Sequence, residues 1–337
     1  MAAYEEQSCH YHPEQLKRRK AMIEVSNLTK YYGKRLAVDH ISFNVDKGEI
    51  VGFLGPNAAG KTTTMRMLTG FLGPTAGTVK IAGFDIMSHS LEARRQIGYL
   101  PEAVPLYTDM TIRSYLDYLA RLRGVSKDKL KRRVGDVIEQ CHLQEYADVH
   151  IGKLSKGFKQ RVGVAQAIVH EPQVLILDEP TIGIDPIQIA STRQLIRELG
   201  KERTVLISTH ILPEVSVICE RVVIIDHGKI IAEDKIENLS AMVTGSRRVR
   251  MEVEGPTKKV ADAIRSIKGV TRVSYQDSRY LVEYPASQDL RSKLSEAVVQ
   301  GGFTLLSIES AEMSLEDVFL KLTMQDPSGE LGEEESE

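Results

Sequence analysis

The chain has 337 residues, 42% hydrophobic and 27% charged, with a net charge of −2; that length supports one large and one small domain with at least one sizeable core. So even a balance excludes a global field drawing the protein to nucleic acid or to an anionic membrane, and no nucleic-acid partner is expected. Three scattered cysteines, Cys9, Cys141 and Cys219, give no disulfide framework. No apolar run approaches the roughly 20 residues of a membrane span, which suggests a cytoplasmic chain unless a partner holds it at a membrane.

Residues 1–21 are polar and aperiodic, ending near the basic run Lys17-Arg18-Arg19-Lys20, and read as a disordered extension. Cys9, His10 and His12 are close enough to suggest a metal site, but so short a segment gives them no frame. Ile23 to Leu28 opens in apolar and polar alternation and suits a half-buried strand. Tyr31-Tyr32-Gly33 reads as a turn, Leu36 to Val45 as further strand, and Asp46-Lys47-Gly48 as a break. Tyr32 is placed either to stack on a purine ring or as an ordinary strand-end aromatic.

Next come the buried strand Glu49 to Leu54 and the stretch Gly55-Pro56-Asn57-Ala58-Ala59-Gly60-Lys61-Thr62-Thr63, followed by a helix running to Leu68. Strand, glycine-rich loop, Lys-Thr and helix in that order form a nucleoside-triphosphate P-loop. A triphosphate needs many donors at once, so the loop aims successive backbone N–H groups inward at a helix N-terminus. Lys61 supplies a point charge between the β- and γ-phosphates, and Thr62 offers its hydroxyl to Mg²⁺.

Gly and Pro punctuation frames a short strand, Thr78 to Ile81, before Tyr99-Leu100-Pro101-Glu102. From Ile112 to about Leu154 the pattern turns charged and helical. Tyr115, Leu116, Tyr118, Leu119 and Leu122 recur at helical spacing and are expected to form a packed core. Leu154-Ser155-Lys156-Gly157-Phe158 opens another helix, and the apolar run Val174 to Leu177 is a parallel strand covered on both faces. It ends at Asp178-Glu179, where ligands bind in such sheets. One carboxylate suits Mg²⁺, the other an attacking water's proton. Thr204 to Thr209 repeats the design and delivers His210 beside the same strand ends. Arg221 to Ala232 form a hairpin, and Glu233 to Arg248 read as helix or linker, with a boundary at Thr244-Gly245-Ser246.

From Val249 the order of elements is βαββαβ, a ferredoxin-like pattern. A last helix is expected from Leu315 to Leu322, and the acidic end as a disordered tail. Domain limits are thus 1–21, 22–235 with a helical subdomain at about 103–160, a linker at 236–248, an accessory domain at 249–324, and a tail at 325–337.

Together these motifs, in this order, resemble the nucleotide-binding subunit of an ABC transporter over the first 235 or so residues. The resemblance implies an α/β P-loop ATPase core with antiparallel β and helical subdomains, followed here by a small α+β ferredoxin-like domain. It identifies Leu154 to Phe158 as the signature, Asp178-Glu179 as the end of Walker B, Gly183-Ile184-Asp185-Pro186 as the D-loop, His210 as the switch, Glu102 as the glutamine-loop position and Tyr32 as the adenine-stacking aromatic. It implies ATP and Mg²⁺ as cofactors, Glu179, His210 and Lys61 as catalytic, and Thr62, Glu102 and Asp178 as metal-binding. Ser155, Gly157 and Asp185 of one copy would close on the P-loop of a second, a homodimer that binding of ATP holds shut and hydrolysis releases. An integral-membrane permease on a separate chain is the implied partner. Ala58 replaces a usual glycine, Glu102 a glutamine, and Lys156 and Phe158 replace Gly and Gln; the last three together resemble the branch serving ABC-2 type exporters. A soluble ABC-type switch on ribosomes or DNA, and a degenerate ATP-binding regulator, are the alternatives. For the C-terminal unit the expectation is a regulatory or dimer-supporting role.

Overall fold

The computed structural model describes residues 20–236, 246–276, 279–285 and 288–311. Its centre is a six-stranded sheet of β3 (Ile50–Leu54), β6 (Ile97–Leu100), β7 (Val174–Asp178), β8 (Thr204–Thr209), β9 (Arg221–Asp226) and β10 (Lys229–Lys235), in the order β10-β9-β3-β8-β7-β6. All neighbours are parallel except the β9–β10 hairpin. Every residue of β7 and β8 is buried, because packed layers cover both sheet faces and leave no side for polar alternation. Parallel pairing brings the C-terminal ends of β3, β7 and β8 to one edge, and the loops that follow them converge there.

One face is covered by an antiparallel sheet of β1 (Ala21–Tyr32), β2 (Arg35–Asp46), β4 (Ala76–Ile81) and β5 (Phe84–Asp85), ordered β2-β1-β4-β5, and by α1 (Lys61–Leu68). Ile23, Leu28, Val38, Phe53, Met65 and Leu206 meet in the core between these layers. α2 (Ser90–Arg95) joins this first layer through Ala93. The other face carries α3 (Ile112–Leu122), α4 (Lys127–Gln140), α5 (Lys156–Ile168), α6 (Pro186–Gly200) and α7 (Leu212–Ile218) in chain order; Leu116, Val137, Val162, Leu177, Ile196 and Val215 share its core. This α/β core with its antiparallel and helical additions is the expected class.

In the C-terminal unit β11 (Ser246–Glu254), α8 (Thr257–Arg265), β12 (Arg272–Gln276), β13 (Arg279–Pro285), α9 (Arg291–Gln300) and β14 (Thr304–Ala311) follow one another as βαββαβ. The sheet is antiparallel, ordered β12-β13-β11-β14. Val249, Met251, Val282 and Tyr284 pack beneath Val260, Ile264, Leu294 and Val298, the split βαβ arrangement of a ferredoxin-like unit.

Four expectations are corrected. β1 runs through Tyr32, and the turn falls at Gly33 and Lys34, because Tyr31 and Tyr32 pair with Leu36 and Arg35 across the hairpin. Ala21, placed in the disordered extension, is the first residue of β1 and pairs with Asp46. Glu233 to Lys235 finish strand β10, and Ser246 to Arg248 already belong to β11, so strand pairing takes both ends of the expected linker. In α3, Tyr115 and Leu116 are buried, yet Tyr118 is 40% and Leu122 65% exposed, since the helix packs through one face only. Outside the described residues lie the Cys9, His10 and His12 group, the Thr244-Gly245 boundary and the expected helix Leu315 to Leu322.

Candidate functional site

The site forms where β3, β7 and β8 end. The P-loop leaves β3 and turns back at Gly60, whose φ of 108° only glycine adopts without strain; a Cβ there would also lie 2.7 Å from the Ala37 carbonyl. Ala58, also left-handed at φ 67°, is exposed. Lys61 folds under the loop, and its Nζ donates to the carbonyls of Gly55 at 2.9 Å and Pro56 at 3.1 Å. Ala59 is buried beneath the turn, and its carbonyl accepts from the Gly228 N–H at 3.0 Å, which ties the loop to the β9–β10 hairpin.

A cavity of about 360 Å³ opens over the loop, lined by Tyr32, Asn57, Ala58, Gly60, Lys61, Thr62 and Thr63 together with Glu102 and Glu179. Arg35, Ala37 and Ile182 complete it. None of these three carries a motif; Arg35 reaches the site because it pairs with Tyr32 across the hairpin, a register that local pattern does not encode.

Glu179 is 5% exposed and left-handed at φ 49°. Its Oε1 lies 3.4 Å from Lys61 Nζ. His210 Nδ1 lies 2.9 and 3.0 Å from the two carboxylate oxygens; a carboxylate only accepts, so Nδ1 donates. One carboxylate therefore sits between a lysine and an imidazole on the wall of the P-loop cavity. That arrangement can accept a proton from a water while two cationic or donor groups steady nearby negative charge.

Asp178 is fully buried, and Ser208 Oγ donates to its Oδ1. Burial pushes its carboxyl pKa up, opposed by the Ser208 hydrogen bond and the neighbouring Thr62 hydroxyl. Oδ2 is buried with no hydrogen-bond partner. An orphaned carboxylate oxygen beside the Thr62 hydroxyl, with Glu102 on the wall of both adjoining cavities, is a hard-oxygen donor set, and it fits a divalent cation such as Mg²⁺. Ser208 was not singled out by its motif; the β7–β8 register, which puts Asp178 opposite Ser208, is what recruits it.

Ser155, Gly157 and Asp185 do not line this cavity. Ser155 caps α5, accepting from the Phe158 N–H, and Asp185 caps α6, accepting from the Gln188 N–H at 3.0 Å. The two caps adjoin: a Cβ on Gly157 would meet Gln188 at 3.0 Å, and one on Gly183 would meet Lys156 Nζ. The structure thus gathers the predicted residues into two groups on one chain, the P-loop group and the signature group.

A second cavity of about 410 Å³ lies behind Thr62, Glu102 and Asp178, bounded by Arg66, Phe71, Tyr99, Pro101, Arg123 and Gln166. Phe71 at its rim is 81% exposed. Among the described residues no helix is long and apolar enough to cross a membrane.

Comparison with known proteins agrees with this layout. Residues 38–182 match the family model described as ABC transporter. The chain is 38% identical over 303 residues to the bacitracin transport ATP-binding protein BcrA of Bacillus licheniformis, covering 89% of this chain and 97% of the relative. It is 36% identical over 315 residues to the Nod factor export ATP-binding protein I of Burkholderia lata, covering 91% and 99%. Among solved structures, the dimeric MJ0796, a bacterial ABC transporter cassette, superposes with a TM-score of 0.59 at 25% identity, covering 64% of this chain and 99% of that one.

Proposed function

The chain belongs to the ATP-binding proteins of ABC transporters, and we propose that two copies of it close on ATP, hydrolyse it and drive a separately encoded permease of the ABC-2 exporter type. The observation that carries the hydrolytic part is the buried Glu179 carboxylate, hydrogen-bonded to His210 and 3.4 Å from Lys61 on the cavity wall. Glu179 accepts the proton of the attacking water, and His210 holds that carboxylate in place. Lys61 leaves the Gly55 and Pro56 carbonyls to stabilise phosphate charge. Thr62, Asp178 and Glu102 would hold Mg²⁺, which when bound neutralises the triphosphate charge. Tyr32 stacks on the base from the hairpin side.

Dimerisation is supported by what one chain lacks. Ser155 and Gly157 stand outside the P-loop cavity of their own protomer, so a second copy must bring them to the nucleotide. ATP that contacts both halves binds the closed pair better than the open one and shifts the population toward closure. The relatives that act in bacitracin transport and Nod factor export support an exporter. Exposed Phe71, Tyr107, Tyr118 and Leu122 support a permease partner at the helical face and hence a place on the inner side of the membrane.

Glu179→Gln tests the reading. Hydrolysis is expected to fall at least about a hundredfold while ATP stays bound and an ATP-dependent dimer accumulates, measured by phosphate release and by size-exclusion chromatography. A variant that hydrolyses ATP at the wild-type rate, or a wild-type protein that binds ATP without turnover, overturns it.

A further inference from the structure

Behind the switch histidine lies a second buried carboxylate that the catalytic assignment does not use. Glu214 on α7 is 2% exposed. Its Oε2 accepts from Thr209 Oγ1 at 3.3 Å, and that hydroxyl in turn accepts from the Ile211 N–H at 3.0 Å. The residues on both sides of His210 are therefore held by one carboxylate. Facing Glu214 from α6 is Arg193, whose guanidinium comes within 3.9 Å of Oε1 without forming a hydrogen bond. Glu214 Oε1, Arg193 Nε and the neighbouring Thr192 Oγ1 are all buried without a hydrogen-bond partner. Leaving a carboxylate oxygen and a guanidinium N–H unpaired in the interior is unfavourable, and an approach of about 1 Å would bring Arg193 Nη2 into hydrogen-bond distance of Glu214 Oε1. So incomplete a pair between two packed helices is the mark of an element with a second arrangement.

The far side of α6 is tied to the signature helix. Arg161 on α5 donates to Gln188 Oε1 at 3.2 Å and to Ser191 Oγ at 2.8 Å. A displacement of α5 is thereby passed to α6, and from Arg193 through Glu214 and Thr209 to the loop that aims His210 at Glu179. We propose that Arg193 and Glu214 are positioning residues that close into a full hydrogen-bonded ion pair when the signature helix is engaged, and so set the switch histidine against Glu179. This rests on the ATPase reading above. Neither residue lines the P-loop cavity, so removing the pair lowers kcat and spares binding.

The test uses the full chain and compares wild type with Glu214→Gln, Arg193→Gln, Arg193→Lys, the double variant Arg193→Gln/Glu214→Gln, and each change in a His210→Ala background. Expected are a roughly tenfold loss of kcat for each glutamine variant with KM for ATP within about twofold, no further loss in the double, and recovery of most of the rate with Arg193→Lys. In the His210→Ala background Glu214→Gln has no additional effect. Losses that multiply in the double, a Glu214→Gln effect that persists without the histidine, or an unchanged kcat overturn the proposal. Should Glu214→Gln lower the unfolding midpoint by more than a few degrees, the better-exposed Arg193 variants decide by the same criteria. A wild-type chain without ATP turnover instead removes the ATPase reading, which keeps the two failures apart.

Discussion

Ala58 and Glu179 share a backbone conformation that few side chains accept, with φ of 67° and 49°. Such a residue carries strain on the order of 1 kcal/mol or more, tolerated where the surroundings fix it. At Ala58 the side chain is exposed, so the strain lies in the backbone alone. Ala58→Gly relieves it but also loosens the unfolded chain, and the two effects offset one another; stability is expected to stay within about 1 kcal/mol of wild type in a denaturant titration, with ATP binding equal or tighter. Ala58→Val puts a β-branched side chain into the same left-handed turn and is expected to weaken ATP binding about tenfold or more, read by a fluorescent-nucleotide titration. At this scale most of the site was legible: Lys61, Thr62, Asp178, Glu179 and His210 each follow a buried strand in a recognisable order. Ser208, Arg35 and Glu214 were not, because what recruits them is the pairing of strands or the packing of helices far apart in sequence.

Between elements, β6 and α5 approach one another closely. A Cβ on Gly98 would lie 2.2 Å from the Ala167 carbonyl and 2.6 Å from Leu175, so the strand and helix touch backbone to backbone. Gly98→Ala must push them apart, and a loss of about 3 kcal/mol is expected in a chemical unfolding curve. The same contact is closed by His170, whose Nε2 lies 2.9 Å from the Ile97 carbonyl. Burial, aided by Arg123 and Arg133, lowers its pKa from 6.5 to about 4. The folded state thus disfavours the protonated ring while the unfolded chain binds a proton freely below 6.5. Stability from this group is complete above pH 6.5 and is lost as pH falls toward 4, by an amount on the order of 3 kcal/mol. His170→Gln keeps a donor for Ile97 without a titrating ring; subtracting its stability profile from that of wild type is expected to leave a slope confined to pH 4–6.5. The existence of these elements was legible from periodicity and apolar runs. Which face of α3 would pack was not, since Tyr118 and Leu122 keep helical spacing with Tyr115 yet point away from the core.

On the scale of the whole molecule, three hydrophobic clusters among the described residues divide the work. Two flank the central sheet, one under the antiparallel layer and one under the helices, and both contribute residues from β3, β7 and β8. They are joined through the strands that carry the site, so the nucleotide cavity and the signature group move on a shared frame. The third cluster is built from β11 to α9 and shares no residue with the other two. An element with its own core gives the rest little of its stability. A chain ending at residue 245 is therefore expected to fold, to unfold within about 5 °C of the full protein's ATPase transition, and to bind ATP with the same affinity. The order βαββαβ made this unit legible, whereas its role is a matter of what its outer surfaces meet. If it supports the pair of subunits, the shortened chain carrying Glu179→Gln needs at least about tenfold more protein to form its ATP-dependent dimer, a difference that analytical ultracentrifugation measures directly. Equal dimerisation and equal ATPase rates with and without the unit would assign both steps to the catalytic core alone.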